Sequence, residues 1–127
     1  MAFRAGDTFI HTRATGLLPH LWAIISDTER SAEHVVIVSL TTWSKDKDAS
    51  CTLEAPDHPF VKHPTCVSYR DARMVTTADL VRLEQQRLID RREPLMPAVL
   101  DRIRAGAGCS PFIKIQVRQF LDEQHLL

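Results

Sequence analysis

The chain has 127 residues, with 16 lysines and arginines set against 16 aspartates and glutamates. A formal net charge of zero excludes the basic character of a protein held to nucleic acid by bulk electrostatics, leaving a local basic groove as the only such device. Hydrophobic residues at 44% and charged residues at 25% are ordinary globular usage, which excludes extended disorder and coiled-coil arrays and predicts a single domain over residues 1–127.

Near the start, Arg4 and Asp7 interrupt the apolar residues, and no apolar stretch leads to a small-residue cleavage site. The longest apolar runs, Leu21 to Ile25 and Val35 to Val38, fall far short of the roughly 20 residues a membrane span needs. The expectation is a soluble, cytoplasmic chain. Glycine and proline punctuation divides it into a β-rich part over about 6–76 and a helical part over about 77–124. Asp7 to His11, Leu21 to Ser26 and His34 to Trp43 are rich in Ile, Val, Phe, Thr and Trp and read as strands. The nearly continuous apolar run from Val35 to Leu40 places that strand centrally, covered on both faces. Ser44 to Ser50 is a polar loop. Cys51 to Glu54, Cys66 to Tyr69 and Ala72 to Val75 are further short strands. Between them Pro56, Pro59 and Pro64 remove ladder donors, so this stretch is an edge, a bulge or a structured loop.

From Thr76 the period changes. Thr76 with Asp79 fits a capping pattern and opens a helix carrying Leu80, Leu83 and Leu88 and ending near Arg91. Met96, Val99, Leu100 and Ile103 predict a second helix, stopped by Gly106 and Gly108. Ser110 as cap with Pro111 at the first position predicts a third, with Ile113, Val117, Phe120 and Leu121 on one face. Strands curled into a small barrel, with helices against one side, satisfy this order.

Gly6-Asp7-Thr8-Phe9-Ile10, Leu21-Trp22-Ala23-Ile24-Ile25-Ser26 and Val35-Val36-Ile37-Val38-Ser39-Leu40-Thr41 resemble the first three strands of the MazF/PemK/Kid-type toxins. Cys66 to Val75, running into Thr77-Ala78-Asp79-Leu80, resembles that family's later strand and following helix, and Pro97 to Arg104 its downstream helix. The resemblance spans roughly Gly6 to Arg104 and implies an α+β, mainly β fold: an SH3-like barrel with two or three peripheral helices. It further implies a homodimer that cleaves single-stranded RNA without a metal or other cofactor and is neutralised by an antitoxin protein. Two departures stand out. Where the family reads Arg-Pro before its second strand, this chain has His20-Leu21. Where the Kid branch carries Arg-x-Asp-Gln, the register places Ser68, Tyr69, Arg70 and Asp71, and a slip along the strand would bring Arg70 and Asp71 into reach.

Metal-free RNA cleavage needs a base for the 2′-hydroxyl proton, an acid for the leaving 5′-oxygen and cationic or amide donors for the phosphorane. Histidine suits both proton roles. The candidate catalytic residues are His20, His58, Arg70 and Asp71, with His20 and either His58 or His63 facing one groove. Candidate substrate contacts are Thr41, Thr42, Trp43, Phe60, His63 and Arg73; the two aromatics would stack on bases. The alternative for His58 is a hydrogen bond that holds the Pro-rich loop, and for His20 a place at the start of a strand. Cys51, His58, His63 and Cys66 offer donors zinc accepts, without the tight pair spacing of structural zinc sites, and free thiols are the expectation. Two functions remain open: an endoribonuclease toxin, or a non-catalytic barrel that binds protein or nucleic acid.

Overall fold

The computed structural model describes residues 2–12 and 20–127. Among these residues six strands form one antiparallel sheet: β1 (Thr8–His11), β2 (Leu21–Ile24), β3 (His34–Thr42), β4 (Thr52–Leu53), β5 (Thr65–Thr76) and β6 (Ile89–Arg92), in the order β4-β5-β3-β2-β1-β6. Three α-helices among the described residues accompany it: α1 (Thr77–Gln85), α2 (Pro97–Cys109) and α3 (Ile115–Glu123). The architecture is the small SH3-like, mainly β, α+β fold that the resemblance implied.

β3 is central because both its faces are apolar, and side chains of a strand alternate between faces. Val36, Val38 and Leu40 enter a core with Ile10, Ala23, Val67 and Tyr69. Val35 and Ile37 enter a second core with Phe9, Ile24 and Ile89. α2 and α3 cover the first core through Val99, Ile103, Val117 and Leu121, and α1 covers the second through Leu80. Burying each such side chain contributes roughly 1.5–3 kcal/mol. Helices therefore lie against both faces of the sheet, not against one side, because the central strand leaves two apolar surfaces to cover.

The strands read at Cys66 to Tyr69 and Ala72 to Val75 are one strand, β5, broken by a large bulge. Ile37 pairs with Arg73 and Ser39 with Ser68, so Val38 alone lies opposite Tyr69, Arg70, Asp71 and Ala72. Tyr69 and Ala72 turn inward and are buried, while Arg70 and Asp71 stand out from the sheet. A bulge of this kind re-aims side chains.

The Thr76 cap holds as read: its Oγ1 accepts from the Asp79 amide at 3.1 Å. The helix it opens stops at Gln85, short of Arg91. The chain reverses through Arg87 at φ 60°, an unusual conformation for a non-glycine residue, with the Leu88 amide on the Leu83 carbonyl at 2.9 Å. Ile89–Arg92 then pairs with β1 as an edge strand. Arg91 clamps that edge, bonding Glu84 of α1 at 2.6 Å and Asp7 at 3.3 Å and lying 3.8 Å over the Phe3 ring.

α2 runs through both glycines to Cys109. Gly106 serves close approach: a Cβ there would lie 2.3 Å from the Tyr69 hydroxyl oxygen and 2.8 Å from the Cys51 Cβ. Ser110 closes α2 and does not cap α3, which begins at Ile115 with Lys114 as its cap residue. The Ser110 hydroxyl is committed instead to Asp48, to which it donates at 2.5 Å, while accepting from the Phe112 amide at 3.1 Å. No helix among the described residues is long and apolar enough to cross a membrane.

Candidate active site

Two adjoining recesses open on one side of the sheet and share His20 and Thr41. The first, about 310 Å³, lies between β3, the β5 bulge and the loop after β3; His20, Thr41, Lys47, Ser68, Arg70 and Asp71 line it. The second, about 650 Å³, is walled by the Pro-rich segment through Phe60 and His63.

His20 sits just before β2, and its Nδ1 lies 3.1 Å from the Leu40 carbonyl of β3. A carbonyl only accepts, so Nδ1 carries a proton there and Nε2 is the nitrogen left to work at the groove. Arg70 and Asp71 reach the same groove because the β5 bulge turns them out. The Arg70 guanidinium lies 4.8 Å over the Phe112 ring, which fixes its plane. Asp71 Oδ2 accepts from the Ser68 hydroxyl at 2.7 Å.

Lys47, in the polar loop, supplies a cation that sequence reasoning did not assign to the site. Its Nζ donates to the Thr42 carbonyl at 2.6 Å and the Thr41 hydroxyl at 3.3 Å. The neighbouring Asp48 anchors this loop, accepting from the Ser50 amide at 2.9 Å and from the Ser50 and Ser110 hydroxyls. Burial pulls the Asp48 carboxyl upward, but those donors outweigh it and hold it below the ordinary carboxylate range. Phe112 is the other residue missed. Nothing local in the sequence marks either; tertiary packing alone carries them to the groove.

Several candidates lie elsewhere. His58 is 3% exposed: its Nδ1 accepts from the Phe60 amide at 3.0 Å and its Nε2 donates to the Glu93 carbonyl. The geometry is that of the loop-holding alternative, and of the pairs weighed it is His20 and His63 that line a common recess. Arg73 points to the α1 side, its guanidinium 5.1 Å over the Trp22 ring. Trp43 is exposed, its amide bonded to the Pro64 carbonyl at 3.0 Å, and lines neither recess. Thr42 Oγ1 lies 3.4 Å from His63 Nε2, so these two meet at the wall of the second recess. Cys51, His58, His63 and Cys66 do not converge: among the described residues no three His, Cys, Asp or Glu side chains are placed to hold one metal ion. Burial raises both Cys51 and Cys66, keeping them protonated thiols.

No family model matches the chain, and no curated protein matches it. Among solved structures it is similar to an endoribonuclease in complex with its cognate antitoxin from mycobacterial species. The TM-score is 0.56 at 18% identity, over 85% of this chain and 93% of the other. The fold built from these residues is thus that of an endoribonuclease solved with its antitoxin, in keeping with the resemblance to the MazF/PemK/Kid-type toxins.

Proposed function

We propose that this protein is a toxin of a toxin-antitoxin pair: a metal-independent endoribonuclease that cuts single-stranded RNA, works in the cytoplasm as a homodimer and is neutralised by an antitoxin protein. The observation that carries the reading is the gathering of His20, Arg70, Asp71 and Lys47 along one groove. An imidazole, a carboxylate and two cations are a complete set for transesterification of RNA.

Their roles follow from donor chemistry. An ionised carboxylate only accepts hydrogen bonds, so Asp71 takes the proton from the 2′-hydroxyl, held in place for it by Ser68. The 2′-oxygen then attacks phosphorus and the bond to the 5′-oxygen breaks. The proton for that leaving oxygen comes from His20 Nε2, while the proton on Nδ1 stays on that nitrogen, donated in a hydrogen bond to the Leu40 carbonyl that keeps the ring oriented. Arg70 and Lys47 offset the charge gathering on the phosphorane, and Thr41 is a hydroxyl contact to the strand. Products are a 2′,3′-cyclic phosphate and a free 5′-hydroxyl.

The test is incubation of a long single-stranded RNA with the protein in EDTA, beside an Arg70→Ala variant of unchanged circular dichroism. Cuts at defined positions that Arg70→Ala loses are expected. Uncut RNA with folded protein would refute the nuclease reading and favour a binding module on the same barrel.

A further inference from the structure

We infer that the second recess takes one unpaired base of the RNA, stacked on Phe60, and so selects where the strand is cut. This deepens the proposed nuclease reading and rests on it for the word cut, though not for binding. Phe60 is a large aromatic side chain left 36% exposed, although a small domain gains by burying one. Its backbone is fixed from both sides. The Phe60 amide donates to His58 Nδ1 at 3.0 Å, the Val61 amide donates to the His58 carbonyl at 3.0 Å, and Val61 itself is buried. His58 is in turn tied to the Glu93 carbonyl across the fold. A ring presented on so constrained a turn loses little freedom when a flat partner covers it.

Charge names the partner. Lys62, His63, Arg92 and His20 line the recess and, among the described residues, no carboxylate side chain does; Arg92 has its counter-ion, Asp90, at 3.9 Å outside it. The walls behind are apolar, with Ile10, Leu21 and Leu40. Apolar walls with an aromatic ring, rimmed by the two fixed cations Lys62 and Arg92 and by two imidazoles, match a nucleobase flanked by phosphates. The first recess differs, since Asp46, Asp48 and Asp71 face its cations. Because His20 and Thr41 belong to both recesses, a base held on Phe60 is next along the strand from the phosphate at His20.

The test uses a short fluorescein-labelled 2′-O-methyl RNA of mixed sequence, which lacks the nucleophile and stays intact, with binding read by anisotropy. Phe60→Ala weakens it roughly 10- to 100-fold, the range for loss of one stacked base. Phe60→Trp binds as the parent does, and a fully abasic strand of the same length does not distinguish Phe60→Ala from the parent. On cleavable RNA, Phe60→Ala shifts the pattern of cut positions. Equal binding by parent and Phe60→Ala, or no binding by the folded parent, overturns the inference. Tight, Phe60-dependent binding with no cleavage of ordinary RNA would sink the nuclease reading and leave the base-stacking recess standing.

Discussion

His58 Nε2 meets the carbonyl of Glu93, a residue 35 positions away that follows the edge strand β6, and this bond joins the Pro-rich segment to the far side of the sheet. The same carbonyl accepts from the Thr8 hydroxyl at 2.7 Å, so two donors from separate segments share one acceptor. His58→Ala removes a buried ring and leaves the Phe60 amide unpaired, for an expected loss of about 2 kcal/mol in stability. Urea unfolding checks it. Product ends on RNA should be unchanged, because His58 stands outside the groove; altered ends would place it in the chemistry.

Gly106 and Tyr69 form a second such pair. The Tyr69 hydroxyl, pushed far up by burial, stays a donor and bonds the Ile103 carbonyl at 2.6 Å directly where a Cβ on Gly106 would fall. Gly106→Ala is expected to destabilise by about 1–3 kcal/mol through overpacking. Adding Tyr69→Phe removes the nearest of the contacts a Cβ would meet and leaves those with Cys51 and the Ser50 carbonyl, so the double variant should lose less than the sum of the singles while staying below the parent, measured as a thermodynamic cycle.

Acid sensitivity follows from Arg91. Its hydrogen bond to Glu84, with a smaller push from burial the other way, holds the Glu84 carboxyl below its ordinary value. A carboxyl with a depressed folded-state pKa contributes stability that is present above the unfolded pKa and lost as pH falls through the folded one. Thermal scans from pH 7 downward should therefore show the melting temperature of the parent falling faster below about pH 4.5 than that of Glu84→Gln. Parallel curves for the two would contradict the role of this pair. Because Glu84 is about a third exposed, salt should narrow the difference.

Lys47 is the cation that only the folded chain reveals. Lys47→Met removes one phosphate contact, so RNA binding should weaken for all sequences alike and its salt dependence should drop by about one counterion in slope. A sequence-selective loss would mean that Lys47 reads bases.

Much of the scaffold was legible. The nearly continuous apolar run of β3 announced a strand covered on both sides, and Thr76 announced its helix, because both signals are local. β6 was hidden. Ile89-Asp90-Arg91-Arg92 has a single apolar residue and is held by backbone pairing with β1, while Leu80, Leu83 and Leu88 extend the helical spacing past the point where Arg87 reverses the chain. Gly106 read as a stop because its role depends on Tyr69, far away in sequence. In the site, His20, Thr41, Arg70 and Asp71 do share a groove, but what brings the last two there is a bulge set by pairing with β3, and no pattern within β5 gives that register. Composition could name the chemical groups; only the register could say which of them meet.

The measurement closest to the central claim is the identity of the RNA ends, read by mass spectrometry after cleavage in EDTA, with a matched strand carrying a single 2′-deoxy residue at the cut. The proposed mechanism predicts 2′,3′-cyclic phosphate and 5′-hydroxyl ends, no cut at the deoxy position, and a rate that falls about 100-fold in His20→Ala, within the usual range for loss of a general acid. Ends bearing a 5′-phosphate, cleavage that survives the deoxy substitution, or full activity in His20→Ala would contradict it.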